Sequence, residues 1–288
     1  MIFESYEMEL RIKRNADVTW RNYRDVRDRF LRWCKEAGLT PEEVGRPEMM
    51  RYLAGMDALA PSTVHKHWIT LHAAYRRAAT TYKLIDADPT ENLPLPPIRR
   101  ERPFAFSADD LRAIKANITR PQDWIAFHLF AYTGMRSIEV RRLAWSDVNL
   151  KTNVLKITGK RTRRGDDERE VPIHPALRVV LVNADYRLGQ FVLPGRVSGR
   201  TGQMLSETQV CQYIKRNIPA SVYHPHADVC HPIRRAVASN LRRNGVDLDT
   251  IDRLLGWAPA SLRADRYMAY EDEDFTGAIN RLWADDPL

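Results

Sequence analysis

Residues 86–103, DADPTENLPLPPIRRERP, contain five prolines and close on a basic cluster that includes Arg99 and Arg100. Each proline removes a backbone donor and fixes φ, so neither a helix nor a central strand runs through such a stretch. An extended linker is the conformation left to it, and the chain on its N-terminal side folds separately from the chain on its C-terminal side. We therefore expect one domain over 1–97, a linker over 98–105 and a second domain over 106–288. A length of 288 residues also favours two domains over one.

Before the linker the pattern is helical. Trp20, Tyr23, Val26, Phe30 and Trp33 recur at three- and four-residue steps and predict a helix over 17–36, closed by Gly38. A shorter helix is expected over 47–56. A third begins after Pro61-Ser62, with Val64, Trp68, Leu71, Tyr75, Ala78 and Tyr82 on one face and Lys66, His67, Arg76 and Arg77 among its polar positions. The result is a small bundle whose outer faces carry Arg21, Arg24, Lys66 and Arg76. Such a surface suits a polyanion, although ordinary solvated side chains would look the same.

After the linker, Ser107 followed by Asp109 and Asp110 suits a helix N-terminus. A helix after Pro121 leads into AYTGMR and a further helix through Trp145. VLKIT (154–158) and EVPI (170–173) read as short strands around the charged turn GKRTRRGDDER. From about residue 176 the chain reads helical again, including 232–243 and 249–256. The fold class is thus mainly α with a small β-sheet.

Composition narrows the function. Apolar residues at 44% and charged residues at 28% exclude a disordered or low-complexity chain. No apolar run approaches the length of a membrane span, and the N-terminus lacks the pattern of a secretory signal. Cys34, Cys211 and Cys230 are too few for a disulfide framework, so a reducing, cytoplasmic setting is expected. The net charge of +8 favours a nucleic-acid partner. Residues 1–96 hold 15 basic and 14 acidic side chains and residues 97–288 hold 30 and 23, so the excess lies in the second part.

Several polar residues there carry chemistry. Arg136 follows a glycine turn at the head of a helix, and HPIR sets His231 and Arg234 three apart on one helical face. Brought together, two arginines and a histidine would clamp one phosphate through fork-like donors. Lys160 belongs to the tip of the expected hairpin. Tyr267 and Tyr270 lie in the basic stretch RADRYMAY. A phenol with a pKa of about 10 needs cations and a base nearby before it attacks anything. His224, His226, Cys230 and His231 in HPHADVCH suggest zinc as a rival, but their spacing fits no standard structural site.

Taken together, these segments resemble the tyrosine recombinases, the phage-integrase family. TGMRSIEVRRLAWSDVNL resembles the first signature box, and GKRTRRGDDEREVPIHP the hairpin with the catalytic lysine. HPIRRAVASNLRRNGVDLDTIDRLLGWA resembles the second box, and RADRYMAYEDED the tyrosine segment. The N-terminal part resembles the family's helical, SAM-like core-binding domain, so the likeness spans nearly the whole chain in the correct order.

The resemblance implies roles. Arg136 and Arg234 would hold the scissile phosphate, His231 would act as acid/base or donor, and Lys160 would protonate the leaving 5′-oxygen. Trp257 stands where many members have histidine but Cre-type members also have tryptophan, which would donate through its indole N–H, and Glu139 matches the supporting acidic position. Arg235 falls where the second box often has histidine. Tyr267 would become a covalent 3′-phosphotyrosine; the ten-residue interval from Trp257 leaves Tyr270 as the alternative. No metal or other cofactor is implied. DNA contacts are expected from Arg21, Arg24, Lys66, Arg76, Arg99, Arg100, Arg161, Arg163 and Arg164.

The implied partner is double-stranded DNA, with a dimer on each site and a homotetramer on the synapsed pair, accessory factors being open. Phe275, Ile279, Leu282 and Trp283 mark a C-terminal helix that Cre- and Xer-type relatives pass to a neighbouring protomer. The short stretch ahead of the first long helix points to a simple Cre- or Xer-like system without an arm-binding domain. Two alternatives stay open: type IB topoisomerase-like relaxation, and an architectural protein that binds DNA without cutting it.

Overall fold

A computed structural model describes residues 1–13, 17–98, 102–159, 168–184, 189–197, 200–224, 228–257 and 272–288. The chain forms two compact units, Met1–Glu101 and Arg102–Leu288. No helix among the described residues is long and apolar enough to cross a membrane.

The first unit is a four-helix bundle of α1 (Ile2–Ile12), α2 (Asp17–Glu36), α3 (Arg46–Ala54) and α4 (Pro61–Thr80). Tyr23, Val26 and Phe30 of α2 face Leu71 and Tyr75 of α4, as their spacing requires. Phe30 is the hub, packing edge-on against Tyr52 at 4.9 Å and against Phe3 at 5.8 Å. Two points depart from the sequence pattern. Helix α1, which no proline or cap announces, buries Ile2, Phe3 and Leu10 in this core. His67, expected among the polar positions, is buried because the Tyr52 hydroxyl lies 2.9 Å from its Nδ1 and satisfies it. Burial holds its pKa below the ordinary histidine value.

The second unit is built around α6 (Pro121–Thr133), in which every residue from Ile125 to Thr133 is buried. Helices α8 (Pro175–Val182), α9 (Glu207–Lys215) and α10 (Cys230–Arg243) pack on it. Asp123, fully buried in the first turn of α6, accepts from the Arg216 fork at 2.6 and 2.8 Å and from Asn217 at 2.8 Å. Helix α5 (Ala108–Ala116) begins with the expected Ser107 cap, whose Oγ accepts from the Asp110 N–H at 3.1 Å.

A three-stranded antiparallel sheet of β1 (Val148–Asn149), β2 (Val154–Thr158) and β3 (Glu168–Pro172) joins the helices, in the order β1-β2-β3. Leu155 pairs with Val171 and Ile157 with Arg169, so these four side chains share one face. Lys156 points the other way, exposed, and pairs with Glu168 at 3.0 Å, as expected of a strand residue. The second hairpin, β4 (Pro194–Val197) with β5 (Arg200–Met204), corrects the expectation of continuous helix after residue 176. Leu193 and Leu205, which flank its open end, are both buried and fix the hairpin on the core.

The last helix, α12 (Asp272–Arg281), lies on its own unit. Ala278, Ile279, Leu282 and Trp283 are buried in the same core as α6 and α10. The Trp283 indole N–H donates to the Ala131 carbonyl at 2.9 Å, and its backbone N–H to Asn240 Oδ1 at 2.7 Å. Arg112 of α5 donates to the Pro287 carbonyl at 2.9 Å. In the single chain the apolar face of α12 is therefore covered by its own core.

Gly134 caps α6 in the left-handed region, at φ 61°. An added Cβ would stand 2.5 Å from Leu255 Cδ2 and 3.2 Å from Val237 Cγ1. Gly134→Ala therefore combines a left-handed penalty of about 1–2 kcal/mol with overpacking of about 1–3 kcal/mol. A thermal melt should show the midpoint lowered by roughly 4–20 °C, taking about 2–4 °C per kcal/mol for a domain of this size.

Candidate active site

Helix α7 (Ser137–Arg142) starts three residues after that glycine cap, with Arg136 at its N-cap position. Glu139, in its first turn, reaches back and accepts from the Arg136 backbone N–H at 2.8 Å and from the Arg136 guanidinium at 2.7 Å. Arg136 sends its other terminal nitrogen to the Gly256 carbonyl. Helix α10 presents Arg234, buried to 3% exposure, which donates to the Gly134 carbonyl at 2.5 Å and to the Leu255 carbonyl.

The two arginines thus meet at the C-terminus of α11 (Leu248–Leu255). The last carbonyls of a helix have no partners within it and carry the negative end of its dipole. Cations are the natural groups to satisfy them. Gly256, at φ 63°, makes the turn that exposes these carbonyls, and a Cβ there would lie 2.8 Å from Arg169 Nη1 and 3.4 Å from Arg136 Nη1. Glycine is required at this position on both counts.

Arg169 is the member that the sequence reading missed. It donates to both Glu139 oxygens, at 3.0 and 2.9 Å, and through Nε to the Leu254 carbonyl at 2.8 Å. Three guanidiniums therefore dock on the end of α11, with Arg234 Nη1 4.0 Å from the same carboxylate. A signal was available: in EREVP, Arg169 is in phase with Val171, which faces the core. An arginine in the inward phase of a strand needs a buried anion, and Glu139 is that anion.

Glu139 is 1% exposed. Burial alone would raise its pKa, but the hydrogen bonds and charge of Arg169, with those of Arg136, more than offset it and hold the carboxyl below the ordinary glutamate range. Among the described residues one carboxylate faces three guanidiniums, an excess of positive charge. The Arg136 side chain retains 28% exposure. That is the electrostatic character of a site for an anion.

Trp257 lies where Arg234 stacks over its ring, 5.2 Å from guanidinium carbon to centroid, and at 38% exposure its indole faces outward. His231 is one turn before Arg234 on α10 and more than half exposed. Its Nδ1 pairs with Asp228 Oδ2, and the other Asp228 oxygen accepts from the backbone N–H of Cys230 at 3.0 Å. Asp228 thereby caps α10 and orients the imidazole in one arrangement. Arg235 anchors a loop, donating to the Phe104 carbonyl at 3.0 Å.

The structure therefore brings Arg136, Glu139, Arg234 and Trp257 together with Arg169, and sets His231 on the same helix as Arg234. The root of the expected lysine hairpin is held where Arg142 donates to the Gly159 carbonyl at 3.1 Å. Lys160, Arg161, Arg163, Arg164, Tyr267, Tyr270, Arg99 and Arg100 lie outside the described residues. In the first unit, Arg21, Arg24, Lys66 and Arg76 are exposed. Arg21 and Arg24 share a shallow groove with Glu7, Arg11 and Trp20, and Lys66 donates to Asn22 Oδ1 at 3.0 Å.

The family model described as "Phage integrase family" matches residues 106–274. Among curated proteins, the chain is 29% identical over 259 residues to the tyrosine recombinase XerD of Lacticaseibacillus casei, covering 85% of this chain and 86% of that protein. Among solved structures, a lambda integrase dimer bound to a COC′ core site superposes with a TM-score of 0.72 at 20% identity, covering 94% of this chain and 98% of that one. A lambda integrase tetramer bound to a Holliday junction gives 0.73 at 18% identity, covering 94% and 79%.

Proposed function

The chain belongs to the phage integrase family, and from that premise we propose that it is a site-specific tyrosine recombinase acting on duplex DNA. The observation that carries the reading is the cluster of Arg136, Arg234 and Arg169 around one buried carboxylate at the end of α11. Positioned cations around a phosphate, fixed before the reaction, are usually the largest source of rate in such chemistry.

In this reading Arg136 and Arg234 bind the non-bridging oxygens of the scissile phosphate. The Tyr267 oxygen attacks phosphorus, the 5′-oxygen leaves with a proton from Lys160, and a 3′-phosphotyrosine remains. His231 assists proton transfer, and Trp257 donates through its indole N–H. Glu139 and Arg169 touch no substrate; they hold Arg136 in place. The covalent step splits one hard displacement into two easier ones and keeps the phosphodiester bond energy, so a 5′-hydroxyl from a partner strand rejoins the DNA without ATP. The guanidiniums neutralise the phosphate, so no metal is invoked.

Residues 1–97 act as the core-binding domain, 98–105 as the linker and 106–288 as the catalytic domain. Arg21, Arg24, Lys66, Arg76, Arg99, Arg100, Arg161, Arg163 and Arg164 contact the DNA backbone. A dimer occupies each site and a tetramer the synapsed pair, in keeping with the likeness to the lambda integrase tetramer. The protein works in the cytoplasm, on the nucleoid. Phosphate contacts dominate affinity, so binding falls steeply with salt.

A supercoiled plasmid bearing two copies of the target site, incubated in EDTA, tests this. The expected result is recombinant product together with a covalent protein–DNA species. Relaxed plasmid without recombinants would instead mark a type IB topoisomerase, and binding without any covalent species an architectural protein.

A further inference from the structure

Away from the arginine cluster, α9 and α10 bring two thiols together. Cys211 is in the middle of α9, half-buried, and Cys230 is the first residue of α10, 2% exposed. Their sulfurs are 3.4 Å apart. Cys230 directly precedes His231, and both backbone N–H groups point at the same Asp228 oxygen, at 3.0 and 3.4 Å. We propose that Cys211 and Cys230 are a reversible dithiol–disulfide pair, closed by small peroxides, and that closing it slows DNA cleavage by moving the helix start that carries His231. The second clause rests on the recombinase reading; the first does not.

Exposure assigns separate parts to the two sulfurs, Cys211 being open to solvent on one side and Cys230 enclosed. The two sulfurs share one hydrogen-bond contact, which lowers the Cys211 pKa against burial and the nearby Asp228 and Glu207, with Arg141 assisting. The same contact, with burial, pushes the Cys230 pKa up. The half-exposed Cys211 is therefore the sulfur that peroxide reaches as thiolate. Its thiolate attacks the peroxide oxygen and becomes a sulfenic acid as one water leaves. Cys230 sulfur then attacks the sulfenic sulfur, its proton departs with that oxygen as a second water, and the S–S bond forms. Two thiols and one hydrogen peroxide become one disulfide and two waters.

Bonded sulfurs stand about 2.05 Å apart, so closure brings the two sulfurs nearer by more than about 1 Å and pulls the start of α10 toward α9. Asp228 holds that start through the same N–H groups, and His231 moves with it. A shared divalent cation is the competing use of the site, since the Cys211, Asp228 and Cys230 ligand atoms lie within 4.8 Å of one another. The carboxylate is already taken up by the α10 N-terminus and His231, which favours the thiol pair.

The full-length protein is treated with hydrogen peroxide, free thiols are alkylated, and tryptic peptides are weighed. The expected result is a link between peptides 201–215 and 217–234, reversed by dithiothreitol. Cys34, buried with its pKa pushed up to about 11, stays alkylatable and serves as internal control. Covalent capture of DNA should slow about tenfold or more, a fraction of what a positioned acid/base contributes. Cys211→Ser should cleave normally and ignore peroxide.

Overoxidation without a link overturns the pair, as does stoichiometric zinc that protects both thiols. A link that leaves capture unchanged overturns the effect on His231. If the reduced protein never captures DNA, the peptide link still decides the pair, and the recombinase reading fails on its own.

Discussion

Tyr267→Phe is expected to abolish covalent capture of DNA, by at least about a thousandfold, while DNA binding stays unchanged. The substitution removes one oxygen and keeps the ring, so neither packing nor charge is altered. What disappears is the only atom that joins phosphorus in the proposed step. A phenol of pKa about 10 becomes competent only beside cations that stabilise phosphoryl charge, the part proposed for Arg136 and Arg234. Both remain in the variant, which is why binding survives. The assay is a nicked suicide substrate in EDTA, read as a slow-migrating protein–DNA band, with Tyr270→Phe alongside. Loss in Tyr270→Phe alone would transfer the nucleophile's role to that residue.

Glu139→Gln should cost both stability and cleavage. The carboxylate accepts from two guanidiniums and from a backbone N–H, and a third guanidinium lies 4.0 Å away. The amide turns one acceptor into a donor facing Arg169 or Arg136 and removes the only carboxylate in hydrogen-bond contact with that cluster among the described residues. Breaking a buried ion pair from one side costs roughly 3–5 kcal/mol, which for a domain of this size lowers the melting midpoint by about 10 °C.

The pH dependence is set by the direction of the shift. The folded pKa of Glu139 lies below its unfolded value. Its contribution is therefore complete above about pH 4.3 and fades as the pH falls through the lower folded value. The stability gap between wild type and variant should be flat near neutrality and narrow in acid. Cleavage by Glu139→Gln, measured well below its melting point, should fall about a hundredfold or more, because Arg136 loses the partner that aims it and one such donor is worth about 10²–10³. Unchanged cleavage at a lowered midpoint would confine Glu139 to stability.

The amphipathic helices were legible along the chain. The Trp20–Trp33 and Val64–Ala78 spacings predict α2 and α4 because a helix with one buried face repeats every 3.6 residues. Helix α1 escaped because no proline or cap announces it, and the hairpin β4–β5 because its strands are short and polar and carry no clear alternation, although Ser198-Gly199 lies between them. Both are held by burial against elements distant in sequence, Ile2 and Phe3 in the bundle and Leu193 and Leu205 on the second core. His67 looked polar because a sequence does not display Tyr52 waiting opposite.

The residue types and order of the site, from Arg136 and Glu139 to Arg234 and Trp257, are determined by the sequence itself, as are the linker and the basic balance of the second half. Local rules of capping, periodicity and charge act over a few residues, and these features lie within that range. The tertiary structure alone decided that the end of α11 is the meeting point, that Arg169 joins from a strand, that Cys211 faces Cys230, and that α12 folds onto its own unit. Each depends on groups 19 to more than 100 residues apart finding one another. What brings them together is the cost of leaving carbonyls, guanidiniums and apolar faces without partners, which is settled only when the whole core closes.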